Sequence, residues 1–223
     1  MEESEKIVLL QKPLEQFKPS KPVETFKQIA HNLMNNYCIR CWEKDYYFAE
    51  IEFYYYREED KVFFEERKKN WEEITYPRKT NAGDLFYHLS GIDICFESDL
   101  KKDKSGMIGY GGGILIRAIV DANDPQELIV GPLTCKDKIL NACAGKEMPS
   151  LEHASKKRNI KLSETYRYLG KNDFDSIENS EKENRDGNHK LAFYDTMVPS
   201  LWNTARSSYY NYRLIRKNNT AER

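Results

Sequence analysis

Residues 46–56 constrain the fold of this chain more than any other stretch. They read YYFAEIEFYYY, an aromatic and β-branched run that predicts one long β-strand. Because successive strand residues face opposite sides of a sheet, the run has two distinct faces. One face is apolar and consists of Ala49, Ile51, Phe53 and Tyr55. The other carries Glu50, Glu52 and Tyr54. The strand is therefore predicted to cover a core on one side and to present two carboxylates on the other, unless that second face is simply solvated.

The neighbouring segments predict a sheet built from hairpins. A strand at 37–42 precedes the long one and is joined to it by the polar residues 43–45. Two further strands, LFYHL and IDICFE, flank a turn predicted at Ser90 and Gly91, and another strand, ELIV, ends before Gly131. Hairpin-length connections favour an antiparallel sheet, since parallel strands need long crossovers.

Segments with helical spacing precede, separate and follow these strands in the sequence. Residues 24–35 and residues 133–142 carry apolar side chains at intervals of three and four, and the charged segment 58–71 is a further helix candidate. Residues 75–83, TYPRKTNAG, are predicted to form a loop, and the glycines at 111–113 a flexible turn that leads into a buried strand. The fold class is predicted to be α+β, a single domain with a mainly antiparallel β-sheet flanked by helices.

Two segments are predicted to lie outside the packed core. Residues 1–22 are rich in lysine and proline and read as a flexible arm, so the domain is assigned to residues 23–223. Residues 170–190 are charged and poor in apolar side chains, which predicts a disordered insertion. Residues 200–217 regain aromatic side chains and are predicted to return to the core.

Composition limits the location and the partners of the chain. It contains 15 Tyr and 10 Phe, enough for an aromatic core, but no run of the roughly 20 apolar residues that a membrane span needs and no secretion signal. We therefore expect a cytoplasmic protein without membrane partners, associated with the nucleoid, or a nuclear one in a eukaryote. The formal charge of -1 provides no global basic field for nucleic acid, although a local basic face is compatible with it.

The five cysteines also indicate a reducing compartment, because their number is odd and their spacing irregular. Cys38 and Cys41 form a CxxC motif, but no second pair stands at a zinc-ribbon distance. We interpret them as buried strand cysteines and predict neither a metal nor a cofactor.

The order of four segments resembles that of methylpurine DNA glycosylases. AEIEFYY, GDLFYHLSGIDICFE, GGILIRAI and GPLTCKDKILNA follow one another at comparable intervals, so that the resemblance covers residues 25–145. The chain is also similar to a group of uncharacterised bacterial proteins that share EIEFYY and GGILIR. The resemblance implies a curved, mainly antiparallel sheet and a monomer without cofactors. It implies that the partner is DNA with a modified base, with RNA or a free nucleotide as alternatives.

The resemblance also implies roles for individual residues. Glu52 falls on the glutamate that activates the attacking water, and Arg117 on the arginine that holds this water and the adjoining backbone. Tyr54 falls on a tyrosine that stacks against the extruded base, and either Tyr87 or His88 on a second stacking position. Glu50 and Leu115 are assigned supporting positions.

Three positions depart from the family pattern. Ser90 stands where the family has a bulky intercalating tyrosine, and Glu97 where it has a pocket asparagine. Phe63 stands at the spacing of a family histidine. No lysine occupies a matched catalytic position, which implies monofunctional hydrolysis of the N-glycosidic bond of an alkylated or deaminated base. Two alternatives are an inactive module that binds a nucleobase, nucleotide or nucleic acid on the same fold, and an interaction protein that uses the arm and the insertion.

Overall fold

A computed structural model describes residues 24–58, 75–104, 106–166 and 190–195. These ranges contain two helices, α1 (Glu24–Asn36) and α2 (Pro132–Ala142), and eleven strands. The strands are β1 (Tyr37–Cys41), β2 (Lys44–Arg57), β3 (Arg78–Thr80), β4 (Leu85–His88), β5 (Gly91–Cys95), β6 (Ser98–Asp103), β7 (Gly106–Asp121), β8 (Leu128–Val130), β9 (Ser150–His153), β10 (Leu162–Tyr166) and β11 (Lys190–Asp195). The predicted arm, the helix candidate after residue 58, the insertion before Lys190 and the aromatic tail at 200–217 lie outside the described residues.

The two longest strands, β2 and β7, pair along their length and form the centre of an open sheet. The order through the centre is β10-β11-β2-β7-β5-β4, and every pairing among the described strands is antiparallel. β7 also pairs with β6 and β8, and β2 with β1. The prediction of an α+β fold with a mainly antiparallel sheet is confirmed. Among the described helices, none is long and apolar enough to cross a membrane.

Both helices pack against one face of this sheet. The predicted apolar side of α1 is buried there, and so are Ile51, Phe53 and Tyr55 of β2. From α2, Cys135 and Ile139 join the same core, while Leu133 is exposed. Burial of these side chains supplies the main driving force for folding, at roughly 25 cal/mol per Å² of apolar surface.

Two compensating β-bulges interrupt the pairing of β2 and β7. Phe48 pairs with Ile119, Glu50 with Ala118 and Ile51 with Ile116. Ala49 is thus the extra residue on β2 and Arg117 the extra residue on β7. The prediction that Ala49 lies with Ile51, Phe53 and Tyr55 is wrong, because the bulge turns it toward a separate small cluster that contains Ala118 and Val120.

The glycines at 111–113 lie inside β7, so the prediction of a flexible turn is wrong. A Cβ on Gly112 would lie 2.3 Å from the backbone oxygen of Tyr54, and one on Gly113 would lie 3.3 Å from Nη1 of Arg78. These glycines are required by the close approach of neighbouring groups and not by a turn.

The predicted positions of two hairpin turns and of one loop are also wrong. The first hairpin turns at Trp42 and Glu43, and the second at Leu89 and Ser90 instead of Ser90 and Gly91, because Gly91 already pairs with His88. The segment 75–83, predicted as a loop, contains β3, which pairs with β6. The cysteines are all buried and free, as the interpretation of Cys38 and Cys41 requires.

Candidate functional site

The candidate site lies on the sheet face opposite the two helices. Glu52 of β2 pairs with Leu115 of β7, Leu115 pairs with Asp93 of β5, and Asp93 pairs with Phe86 of β4. Residues directly opposite each other in antiparallel strands lie on one face. The register therefore places a row of residues from four adjacent strands on this face, which we call the polar face.

A carboxylate pair on β2 holds a single guanidinium on the polar face. Nε of Arg117 lies 3.1 Å from Oε1 of Glu50, and Nη1 lies 2.9 Å from Oε2 of Glu52. The whole residues Glu50 and Glu52 are 4% and 5% exposed, whereas a quarter of the Arg117 side chain is exposed. The solvated-face alternative is therefore wrong. The bulge at Arg117 accounts for this arrangement, since an extra residue re-aims a side chain locally.

A second cluster on the polar face surrounds Arg78. Nη1 of Arg78 lies 3.1 Å from Oδ2 of Asp93, and Nη2 donates to the hydroxyls of Tyr54 at 2.9 Å and Thr75 at 3.1 Å. The hydroxyl of Tyr54 donates in turn to Asp93. The side chains of Arg78 and Asp93 have no exposed surface. We call these four residues the Arg78 cluster.

Two aromatic rings contact this buried cation, and a glycine leaves space for it. The guanidinium carbon of Arg78 lies 4.2 Å from the ring centroid of Phe86 and 5.5 Å from that of Tyr54. Both distances are within the range of cation–π attraction. Gly113 lies beside Nη1, and any larger residue there would crowd the guanidinium.

Protonation within the Arg78 cluster follows from burial and from pairing. Burial raises the pKa of Tyr54 well above its usual range, and the charge of Asp93 raises it further. Burial lowers the pKa of Arg78, but Tyr54 and Asp93 raise it by more, so the net pKa is above its usual value. Tyr54 is therefore a neutral phenol and Arg78 a cation at neutral pH.

His88 connects the Arg78 cluster to the surface. Its Nε2 lies 3.2 Å from Oδ1 of Asp93, within ion-pair range, but the two atoms are not aligned for a hydrogen bond. Its Nδ1 lies 3.0 Å from Oγ of the exposed Ser90. The ring centroid of Tyr76, a residue that is 48% exposed, lies 5.2 Å from that of His88.

The predicted site residues divide between two faces and a turn. Glu50, Glu52, Tyr54, Leu115 and Arg117 come together on the polar face, and Leu115 packs against the cluster around Tyr54. Between the two candidates for the second stacking position, His88 is on this face. Tyr87 packs against the helix-side core, where burial raises its pKa to about 12.

Glu97 and Tyr54, both predicted to contact the base, are engaged by other groups of the protein. Oε2 of Glu97 accepts a hydrogen bond from the backbone of Ala82 at 3.2 Å, and so belongs to the turn before β4. Tyr54 is 6% exposed and its hydroxyl is engaged within the Arg78 cluster. In this conformation its ring is enclosed by the protein.

Sequence reasoning missed Arg78 and Asp93. Asp93 is the single acid within the apolar stretch GIDIC, and a carboxylate buried in a strand requires a partner. That pattern could have indicated a buried ion pair. Arg78 carries no comparable signal, because it lies in a segment with the composition of a loop.

The described residues contain no group of three or more His, Cys, Asp and Glu side chains that could hold a metal ion. Burial raises the pKa of Cys38 to about 12, which disfavours the thiolate that metals and disulfides require. Comparison with known proteins gives no match to any family model, curated protein or solved structure.

Proposed function

We propose that this protein is a DNA glycosylase-like enzyme that hydrolyses the N-glycosidic bond of an alkylated or deaminated base, with Glu52 as general base. The observation that carries the proposal is the contact of Arg117 with both Glu50 and Glu52 on one sheet face. We also propose that the antiparallel sheet is curved in the manner of methylpurine DNA glycosylases.

The reaction makes two demands on such a site. Departure of the base leaves an oxocarbenium-like sugar, which a nearby anion stabilises, and a carboxylate must take a proton from the attacking water. Glu52 is a nearly buried carboxylate, so its charge acts in a medium that screens it weakly. Arg117 fixes the orientation of that carboxylate through a charge-assisted hydrogen bond.

An extruded base also needs a surface on which to stack. On the polar face, Tyr76 presents a half-exposed ring next to His88, and the ring of Phe86 lies 6.0 Å from that of His88. We assign base stacking to Tyr76, whose ring packs on the nearly buried His88, while Tyr54 orients Arg78 and Asp93 beneath them.

The second candidate is an inactive module that binds a nucleobase or nucleic acid on the same fold. The enclosure of Tyr54, which is 6% exposed and whose hydroxyl is engaged by Asp93, favours this candidate. Such a module would use the exposed ring of Tyr76 for stacking and would release no product.

The test compares wild type with Glu52→Gln on single- and double-stranded oligonucleotides that carry one alkylated or deaminated base. Glu127→Gln is the matched control, because Glu127 makes the same type of carboxylate contact, with Lys138, away from the candidate site. We expect wild type and the control to produce alkali-labile abasic sites. Glu52→Gln is expected to lose a factor of roughly 10² or more, the usual contribution of a general base.

Equal yields of abasic sites from wild type and Glu52→Gln would refute the proposed enzymatic activity. Binding without product release, lost in a Tyr76→Ala variant, would instead support the module. The absence of both binding and product would exclude the two candidates together.

A further inference from the structure

The turn between β4 and β5 brings together a serine, a histidine and a buried aspartate. Oγ of Ser90 lies 3.0 Å from Nδ1 of His88, and Nε2 of the same ring lies 3.2 Å from Oδ1 of Asp93. Ser90 is exposed, the His88 side chain is 8% exposed and that of Asp93 is fully buried. The three groups thus run in order from the solvent to the interior.

Among the described residues, two atoms in this series lack hydrogen-bond partners. Nε2 of His88 and Oδ1 of Asp93 are buried, and neither has a hydrogen-bond partner in the part of the chain that the structure describes. A buried polar atom without a partner is costly. A small rotation of the imidazole would join the two atoms and satisfy both.

We propose that Ser90 is a nucleophile activated by His88, and that it accepts acyl groups from activated carboxylic esters. This site is separate from Glu52 and does not rest on the proposed glycosylase activity. Such a constellation is identified by geometry and roles and not by the order of the residues in the chain.

The two ring nitrogens have opposite tasks in this arrangement. With the hydrogen on Nε2 facing Asp93, Nδ1 keeps its lone pair and can take the proton of the Ser90 hydroxyl. Asp93 is a positioning residue, because it acts through His88. Its own place is fixed by Arg78 at 3.1 Å and by the hydroxyl of Tyr54.

A cation and an apolar side chain flank the serine. Nζ of Lys136, from α2, donates to the backbone oxygens of His88 at 3.0 Å and Leu89 at 2.9 Å, which fixes the turn and brings positive charge to the backbone that precedes Ser90. Such a charge favours the oxyanion of a tetrahedral intermediate. Leu89 is 88% exposed and offers apolar contact to an acyl chain. Because a single ammonium at this turn would stabilise the oxyanion, we expect the substrates to be esters with good leaving groups and not amides.

The reaction balances without a further oxidant or cofactor. Oγ attacks the acyl carbon while its proton passes to Nδ1 of His88, and the leaving alcohol takes that proton as the ester bond breaks. Water then attacks the acyl-serine, gives a proton to Nδ1, and the acid departs as the proton returns to Oγ.

The chain contains a natural control for this proposal. His153 and Ser155 have the same spacing as His88 and Ser90, and Ser155 is also exposed. The ring of His153, however, packs against Tyr37 with 4.4 Å between centroids. Within the described residues no hydrogen bond joins Ser155 to His153, so spacing alone does not produce the contact.

The test is covalent labelling by a fluorophosphonate, with the modified serine located by peptide mass spectrometry. We expect label on Ser90, its loss in Ser90→Ala, and unchanged labelling in Ser155→Ala. His88→Gln is expected to slow labelling by roughly 10²-fold, because the general base is lost. Equal labelling of Ser90 and Ser155, or no label on Ser90 in folded wild type, would overturn the proposal.

The role of Asp93 is tested by the pH dependence of labelling. The charged groups around the imidazole are Asp93 on β5, Arg78 on β3 behind it and Lys136 on α2 at its backbone oxygen. Asp93→Asn removes the carboxylate that stabilises the imidazolium, so half-maximal labelling should move to lower pH. A variant that stays folded and keeps the wild-type pH profile would exclude this role for Asp93.

Discussion

An Arg78→Met variant tests whether charge pairing inside the Arg78 cluster stabilises the sheet. The substitution retains much of the aliphatic volume but removes the hydrogen bonds to Tyr54, Thr75 and Asp93. It leaves the fully buried carboxylate of Asp93 without its cation. Breaking a buried pair by removing one partner costs about 3–5 kcal/mol. Such a loss is a large part of the 5–15 kcal/mol typical of a whole domain.

The assay is urea denaturation followed by far-UV circular dichroism. With a slope of about 2 kcal/mol per M, the midpoint of Arg78→Met should fall by about 1.5–2.5 M. Arg40→Met is the matched control, because Arg40 forms an ion pair with Asp45 at 2.9 Å but its side chain is 43% exposed. An exposed pair of this kind contributes about 0.2–1 kcal/mol.

A double variant separates the pairing from the packing. If Asp93 is changed to leucine in the Arg78→Met background, the uncompensated charge disappears, so the double variant should be no less stable than Arg78→Met alone. A loss below about 1 kcal/mol in Arg78→Met, or simple additivity of the two single losses, would show that Arg78 and Asp93 are not coupled as a buried pair.

Two further predictions concern the centre of the sheet and the core. Gly112→Ala places a Cβ 2.3 Å from the Tyr54 backbone oxygen, whereas the nearest atoms at Gly111 belong to side chains 3.1 Å or more away. Thermal unfolding should therefore show a loss of about 3 kcal/mol or more for Gly112→Ala and less for Gly111→Ala, and equal losses would contradict this. The buried hydroxyl of Tyr87 has no hydrogen-bond partner among the described residues, and burial raises its pKa from 10.0 to about 12. Since stability linked to a raised pKa is complete below pH 10 and lost toward pH 12, Tyr87→Phe should match or exceed wild type at pH 7, and its advantage should grow between pH 10 and 12. A constant difference across that range would show that Tyr87 does not titrate as its burial implies.

Alternation and helical spacing within single segments of the sequence predicted several of the strands and both described helices correctly. The alternation of residues 46–56 predicted β2, and the spacing of Phe26, Ile29 and Leu33 predicted α1. The second hairpin was predicted one residue too late, because Gly91 reads as a turn residue although it begins β5. Patterns of this kind establish which elements exist more reliably than where each one ends.

Non-local contacts account for what the sequence did not predict. Position 112 requires a glycine because the backbone oxygen of Tyr54, a residue far away in the sequence, approaches it closely. Nothing within the GGG motif indicates this approach. Arg78 and Asp93 pair across 15 positions of sequence, and Arg78 stands in a segment with loop composition. The meeting of Arg117 with Glu52 was expected from the resemblance, but the bulges that make it possible leave no local trace.

Those paired bulges also limit how such a sequence can change its length. Because Ala49 and Arg117 offset each other, the strands return to the same register on both sides. Deletion of either residue alone would slip half of the β2 and β7 pairing by one position and turn its side chains to the wrong face. Deletion of both together would preserve the pairing but remove Arg117. In a lineage of such sequences, gains and losses at these two positions should therefore occur together, and a chain that lacks both should also have lost the bridge between Glu50 and Glu52.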